Sequence, residues 1–446
     1  MAERSTQIYL RASGIERRSD VERVRETARR CPARALRRQR ERRGRTPTIA
    51  PLKCDNTHMR IAFFTDTFPP EVNGVAHTAE RAARMLAKHG HVVRIFTVSK
   101  SSQQELQSKA GNDYSVETLP SLGLPIYLGV RTTMPVGLAL RKVSRFKPDI
   151  LHSHTPFSVG WEAVWAARFL HVPLVGTHHT FFNHYLKHVH LDYAWAERLS
   201  WKLTVGYYNR CDVVVSPTRS LIDELKANGL KSPYEIVPNS VDTEIYCPAQ
   251  DQKSLRAKLN LPNRVVVHMG RLSYEKSIDQ AIRAFKTVVE QEPSAMFVIV
   301  GDGPGKRDLE ALVHELGLEK NVRFTGFVYG QRLVEYLQAA DVFVTASKSE
   351  NMPLAVLEAM AVGLPVIAVH SLGLAEMVED EKSGYLLPPD DVPALAEHTL
   401  KLLRESGLQH TFSERSHSLG KSYSEPAIAE RFDTLYTRVV AEHSKV

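Results

Sequence analysis

One stretch constrains this chain more than any other. Residues 346–369 read Ala-Ser-Lys-Ser-Glu-Asn-Met-Pro-Leu-Ala-Val-Leu-Glu-Ala-Met-Ala-Val-Gly-Leu-Pro-Val-Ile-Ala-Val. The apolar run at 342–345 before it is a short buried strand, and a polar loop follows at 346–352. Pro353 suits the first position of a helix, where a missing N–H costs nothing. Residues 354–362 are good helix formers, Gly363 ends the helix, and Pro365 opens a second apolar strand. Strand, loop, helix, strand is the unit of a parallel sheet. Such sheets bind ligands at the carboxyl ends of their strands.

Two carboxylates bracket the helix start. Glu350 lies in the loop and Glu358 inside the helix, about 7.5 Å from Pro353 at 1.5 Å per residue. Free N–H groups and the positive end of the helix dipole suit a phosphate between them. Each carboxylate is then left for hydroxyls on one side, which is the layout of a nucleotide diphosphate sugar. On spacing alone, two solvated glutamates fit as well.

The full string Glu350, seven residues, Glu358, then Ala-Met-Ala-x-Gly-x-Pro-Val resembles the signature of retaining family-4 glycosyltransferases. That resemblance implies the GT-B fold, two Rossmann-like α/β domains facing each other across a cleft. The chain departs from the commoner pattern in carrying Asn351 and Pro353 where many members have Gly.

The 446 residues suit two or three domains. No apolar run is long enough to span a membrane, and no secretory h-region opens the chain. Cys31, Cys54, Cys211 and Cys247 form no C-x-x-C pair and read as reduced, incidental cysteines of a cytosolic protein. The net charge of +8 hides an asymmetry: residues 1–58 carry +9, 59–240 carry +6 and 241–446 carry −7. A basic first half suits an anionic surface, whereas the acidic second half does not suit nucleic acid.

Residues 1–58 are Arg-rich and poor in large apolar side chains, so they are expected to be a disordered extension. A basic arm, a transit peptide and an upstream start before Met59 are the readings open for it; Glu16, Asp20, Glu22 and Glu26 count against a transit peptide. Residues 59–240 read as a first Rossmann-like domain and 241–446 as a second. A strand at 59–65 and a proline-rich loop lead through Gly74 into an amphipathic helix at 75–88, and a strand follows at 91–98. Residues 135–147 read as a helix with basic Arg141, Lys142, Arg145 and Lys147, either the solvated face of a crossover helix or a membrane-surface contact. A strand at 149–152 ends in His152-Ser-His154, and His154 is either a structural histidine or a cleft residue. After a strand at 172–176 comes a histidine- and aromatic-rich loop, 177–190, and a helix carrying Tyr193, Trp195, Trp201, Tyr207 and Tyr208. His184 and His188 stand four apart without an acidic partner, so no metal site is expected. Residues 239–261 read as an interdomain link.

The second domain restarts with a strand at 264–269 and Gly270-Arg271, with Lys276 ahead of a helix; a planar guanidinium and an ammonium at a strand end suit a diphosphate. Gly301-Asp-Gly303-Pro-Gly305 lacks the third glycine spacing of a dinucleotide fingerprint, because Lys306 stands there. Residues 391–442 read as helical, with the last helix packing back on the first domain.

What the resemblance adds is a set of roles. It implies a donor site of Gly74, Arg271, Lys276, Gly301, Phe327, Val328, Glu350, Asn351, Met352, Pro353, Leu354 and Glu358. Arg271 and Lys276 would stabilise the leaving diphosphate, Glu350 would orient the sugar, Glu358 would hold the ribose, and His154 would meet the reacting face. An acceptor side of His179, Phe181, Phe182 and Tyr185 follows likewise. The first half resembles diacylglycerol glucosyltransferases and phosphatidylinositol mannosyltransferases. Transfer of a hexose from UDP-glucose or a similar donor to a membrane lipid such as diacylglycerol is therefore expected, without a metal or other cofactor, at the cytoplasmic membrane face. The alternatives are mannosyl transfer from GDP-mannose to phosphatidylinositol, transfer to a soluble or lipid-linked oligosaccharide, and a non-catalytic sugar- or lipid-binding relative.

Overall fold

The computed structural model describes residues 58–71, 73–99, 105–107, 113–123, 131–179 and 194–445. The Arg-rich extension up to residue 57, and Phe181, Phe182, His184, Tyr185, His188 and Tyr193, lie outside them.

The strands are β1 (Arg60–Thr65), β2 (Val92–Thr97), β3 (Ser115–Thr118), β4 (Leu122–Gly123), β5 (Arg131–Thr132), β6 (Ile150–Ser153), β7 (Leu174–Thr177), β8 (Val213–Ser216), β9 (Tyr234–Ile236), β10 (Val265–Met269), β11 (Met296–Val300), β12 (Val322–Gly326), β13 (Val342–Thr345), β14 (Val366–Val369) and β15 (Gly384–Leu387). The helices are α1 (Gly74–Lys88), α2 (Leu140–Phe146), α3 (Ser158–Leu170), α4 (Ala194–Tyr208), α5 (Arg219–Ala227), α6 (Gln252–Leu259), α7 (Ile278–Gln291), α8 (Lys306–Glu315), α9 (Gln331–Ala339), α10 (Leu354–Ala361), α11 (Leu374–Met377), α12 (Val392–Arg404), α13 (Ser406–Ser422) and α14 (Glu425–His443).

Two parallel sheets organise them, one in the order β3-β2-β1-β6-β7-β8-β9 and the other β12-β11-β10-β13-β14-β15. Their central strands are near-continuous apolar runs, as burial on both faces requires: Ile61–Phe64 and Val265–Val267 are sealed from solvent. Each sheet reverses its winding once, between β1 and β6 and between β10 and β13. A strand end at such a reversal has no crossover packed over it, so a crevice opens there.

The chain's last helix belongs to the first sheet. From α14, Ile428, Phe432, Leu435 and Tyr436 join Met59, Phe63, Ile95 and Val213 in one core. Two strands of chain therefore cross between the domains, and they run side by side: Val241 N–H donates to Tyr423 O at 2.9 Å, and Glu425 N–H to Val241 O at 3.1 Å.

Three elements differ from the sequence reading. The expected helix over 135–147 is only α2, seven residues. Before it the chain turns through Gly137, and the buried Glu162 carboxylate accepts from Gly137 N–H at 2.8 Å and Ala139 N–H at 2.7 Å. A carboxylate from α3 fixes a turn that local propensity does not specify. The stretch 239–261 is not all linker, since α6 sits in it, capped by Asp251, whose side chain accepts from Ser254 N–H at 3.0 Å. Pro353 stands at the N-cap of α10 rather than its first turn, a shift of one residue.

Candidate active site

Both crevices face the same cleft. On the first domain, β1 delivers Asp66 and the start of α1, and β6 delivers His154. Asp66 ties the two strand ends together. Its half-buried carboxylate accepts from Thr155 Oγ1 at 2.6 Å, Ser158 Oγ at 2.5 Å and Val159 N–H at 2.9 Å. Burial raises its pKa while these bonds pull the other way. Asn73 caps α1, accepting from Ala76 N–H at 2.9 Å, and the space a Cβ on Gly74 would take is open. A ligand can come close to the backbone there.

Histidines line the rest of this edge. His154 Nδ1 and His179 Nε2 share a hydrogen bond at 3.0 Å, and the His154 ring stacks on His152 at 4.3 Å and packs tilted against Phe63 at 4.5 Å. His152 is spent on structure, bonded to Tyr436 Oη at 2.6 Å and Thr177 Oγ1 at 2.5 Å. Burial drives these imidazoles neutral: His152 to about 3, His179 to about 4 and His154 well below its usual value. His154 Nε2 is buried without a partner among the described residues. His154 and His179 line an interdomain pocket together with Arg81, Ser240 and Leu354.

The second edge is charged. Arg271 leaves β10 exposed, and its guanidinium has no ion-pair partner among the described residues. Lys276 pairs with Glu350 directly across the β10–β13 reversal. Ahead of α10, the N–H groups of Leu354 and Ala355 lie in the unmatched first turn. Gly301 owes its place to close packing: its φ is +143°, and a Cβ there would fall 1.9 Å from Gly270 O. It supports the Arg271 loop from behind. Phe327 is half exposed on the rim beyond β12 and Val328 is packed beside it.

Three residues expected to face the donor are instead engaged by the first domain. Glu358 is buried and takes an ion pair from Arg81 of α1 at 2.6 Å, while Arg81 also donates to Ser240 O at 2.9 Å. Asn351 spends both ends of its amide on Thr218 and on His179 O. Met352 is buried, its carbonyl accepting from Asn239 Nδ2 at 2.9 Å. Glu358 is therefore not a free carboxylate awaiting hydroxyls; tertiary packing has given it a cation no local pattern foretold. Sequence reasoning also passed over Asp66, Glu162 and Arg81. His268 was missed too: its Nδ1 donates to Val344 O at 2.9 Å, and burial lowers its pKa to about 4.

Two parallel doubly wound sheets with a shared cleft define a two-domain α/β fold of Rossmann-like halves, with cations and a helix start on one side of the cleft. Residues 72–245 match the Glycosyltransferase Family 4 model and residues 251–418 the Glycosyl transferases group 1 model. The chain belongs to this two-part family and is a glycosyltransferase of GT-B fold. It is 29% identical over 368 residues to an alpha-monoglucosyldiacylglycerol synthase of Streptococcus pneumoniae, covering 81% of this chain and 82% of that one. Its match to the synthase of that name from Acholeplasma laidlawii is 28%, covering 87% and 99%. A GDP-mannose-dependent alpha-mannosyltransferase of Mycobacterium tuberculosis is 25% identical, covering 82% and 93%. In fold the chain is similar to an Anabaena protein solved in complex with UDP, with a TM-score of 0.71, 20% identity, and coverage of 85% of this chain and all of that one.

Proposed function

We propose that this protein is a retaining hexosyltransferase that moves glucose from UDP-glucose to a membrane lipid such as diacylglycerol. The observation that carries the reading is the pairing of two strand-end crevices across one cleft. The Lys276–Glu350 pair and the exposed Arg271 lie on one side, and the unpartnered His154 Nε2 on the other.

In this mechanism the diphosphate lies over the start of α10, against Leu354 and Ala355 N–H. Arg271 and Lys276 take up the charge that builds on it as the glycosidic bond breaks, and no metal is required of the site. Glu350, held by Lys276, orients the sugar hydroxyls. His154, kept neutral by burial, offers Nε2 to the sugar or the entering hydroxyl. Arg81 and the ribose compete for Glu358, or share its two oxygens.

The lipid acceptor is supported by the outer layer of the first domain. Most of the exposed large apolar residues lie there, including Met134 and Val136 before α2, Trp165 and Phe169 on α3, and Leu199 and Leu203 on α4. Trp165 and Phe169 stack at 5.6 Å. Exposed Arg141, Arg145, Arg198 and Lys202 are interleaved. Basic and apolar side chains alternating on helices suit an anionic bilayer surface. No helix of the described residues is long and apolar enough to cross a membrane. The 29% and 28% matches to synthases named for glucosyldiacylglycerol point the same way.

The test is product analysis. Purified protein is incubated with diacylglycerol-containing vesicles and labelled UDP-glucose, with GDP-mannose and phosphatidylinositol in parallel. A glucosylated diacylglycerol is the expected product. Label on phosphatidylinositol from GDP-mannose alone overturns the choice of donor and acceptor, and no transfer from any donor overturns the reading altogether.

A further inference from the structure

The donor-side loop touches the first domain through Met352, whose carbonyl accepts from Asn239 Nδ2 at 2.9 Å, and through the side chain of Asn351. Its Nδ2 donates to His179 O at 3.0 Å, and its Oδ1 accepts from Thr218 Oγ1. The backbone around it is anchored to its own domain. Gly373 N–H donates to Glu350 O at 3.3 Å, and Gly373 packs so closely that a Cβ would sit 1.6 Å from Asn351 O. The loop is therefore fixed on one side by the second domain's backbone and on the other by the Asn351 amide and the Met352 carbonyl.

The two ends of this bridge matter. On the chain, Asn351 follows Glu350, which holds Lys276. In space, its amide lands on His179, whose ring is 3.0 Å from His154 Nδ1. Both ends of the amide are held by the first domain, which fixes its direction while leaving one N–H and one lone pair over. Glycine at the same place would have no side chain to cross the cleft with.

We propose that Asn351 is a positioning residue: it sets Glu350 and Lys276 in register with the His154–His179 pair, and so acts on transfer rather than on donor capture. The proposal rests on the reading of Glu350 and Lys276 as donor groups. Its hydrogen bonds form only when the two domains close on each other, so they favour the closed arrangement in which both sets of groups meet. Arg81 and Glu358 add a second tie at the other end of the signature, independent of the Asn351 amide.

The experiment compares Asn351→Gly, Asn351→Ala and Thr218→Val with the natural full chain. Turnover with UDP-glucose and lipid vesicles is measured beside the affinity for UDP by calorimetry and amide hydrogen exchange over 176–179 and 216–220. Both Asn351 variants are expected to lose at least about tenfold in kcat, about 1.4 kcal/mol, while UDP affinity stays within about twofold. Thr218→Val removes one of the two bonds and is expected to lose less. Exchange in the two segments should quicken in all three variants. Unchanged kcat, or a loss of UDP affinity as large as the loss of kcat, overturns the proposal; the latter would make Asn351 a donor ligand. If the natural chain transfers no sugar, the donor reading fails by itself. Hydrogen exchange then still decides the bridge: unchanged protection on removal of the amide means Asn351 does not hold the cleft.

Discussion

The two edges of the cleft are built from opposite materials. The first domain presents imidazoles that burial keeps uncharged, stacked on one another and packed at an angle against Phe63. The second presents Arg271, Lys276 and Glu350, all charged and nearer to water. A leaving diphosphate needs fixed positive charge, which a neutral, desolvated edge cannot supply. An entering hydroxyl needs an acceptor within hydrogen-bond reach, and a neutral imidazole nitrogen can serve as one. The contrast extends outward: the first domain wears its apolar side chains on its helices, and the second does not to the same extent.

The largest test of this contrast is acid. His152, His178 and His179 have folded pKa values of about 3, 3 and 4, below the ordinary 6.5, and His154 is lowered as well. Between those values and 6.5 the unfolded chain binds more protons than the folded one. Stability is therefore present above pH 6.5 and lost as pH falls, at about 1.4 kcal/mol per pH unit for each such histidine. Tm should fall steeply from pH 6.5 to 5, and a flat profile would show that the first edge is not the buried neutral layer described. His268, lowered to about 4 between β10 and β13, adds to the same loss, but β6 and β7 are flanked by four such histidines and should open first in hydrogen exchange at low pH.

Next comes the charged edge. Arg271→Ala should reduce kcat by about 10² to 10³, or roughly 2.7 to 4 kcal/mol, with little change in Tm. The guanidinium has no ion-pair partner among the described residues, so the fold loses none with it. Wild-type turnover in this variant would remove the electrostatic role assigned to the second domain.

Arg81→Met tests the tie between the edges. It leaves Glu358 without its cation, and a fully buried pair broken this way costs about 3 to 5 kcal/mol. Opening of the cleft lets water reach Glu358, so a loss of about 2 to 3 kcal/mol is expected, read in denaturant unfolding. Arg81→Lys should recover part of it. If small-angle scattering and unfolding are the same in Arg81→Met and the natural chain, the pair does not hold the domains together.

The smallest effect belongs to the outer surface. Arg141→Gln with Arg145→Gln should weaken sedimentation with anionic vesicles by about 1 kcal/mol per residue and flatten its salt dependence. Leu199→Ser with Leu203→Ser should weaken binding without touching the salt dependence. Lys142 is a poorer choice, since it already pairs with Glu117 at 2.8 Å. Vesicle binding unaffected by either pair would leave that face merely solvated.

Periodicity and punctuation alone determined a good deal. The short apolar runs, the Gly and Pro around α10, and the repeat of strand and helix in each half made two parallel sheets legible, because local backbone preference and burial on both faces leave few other solutions. The strand-end positions of His154, Arg271, Lys276 and Glu350 followed from the same pattern. What the sequence could not carry is who meets whom. Arg81 is 277 positions from Glu358, and Asn351 is 172 from His179. Tyr436, at the far end of the chain, fixes His152, and Glu162 shapes the turn before α2. Such pairings depend on the crossing of two chain segments between the domains and on the return of α14 to the first sheet. No local propensity encodes them, so the partners of the buried charges were decided only when the tertiary structure closed.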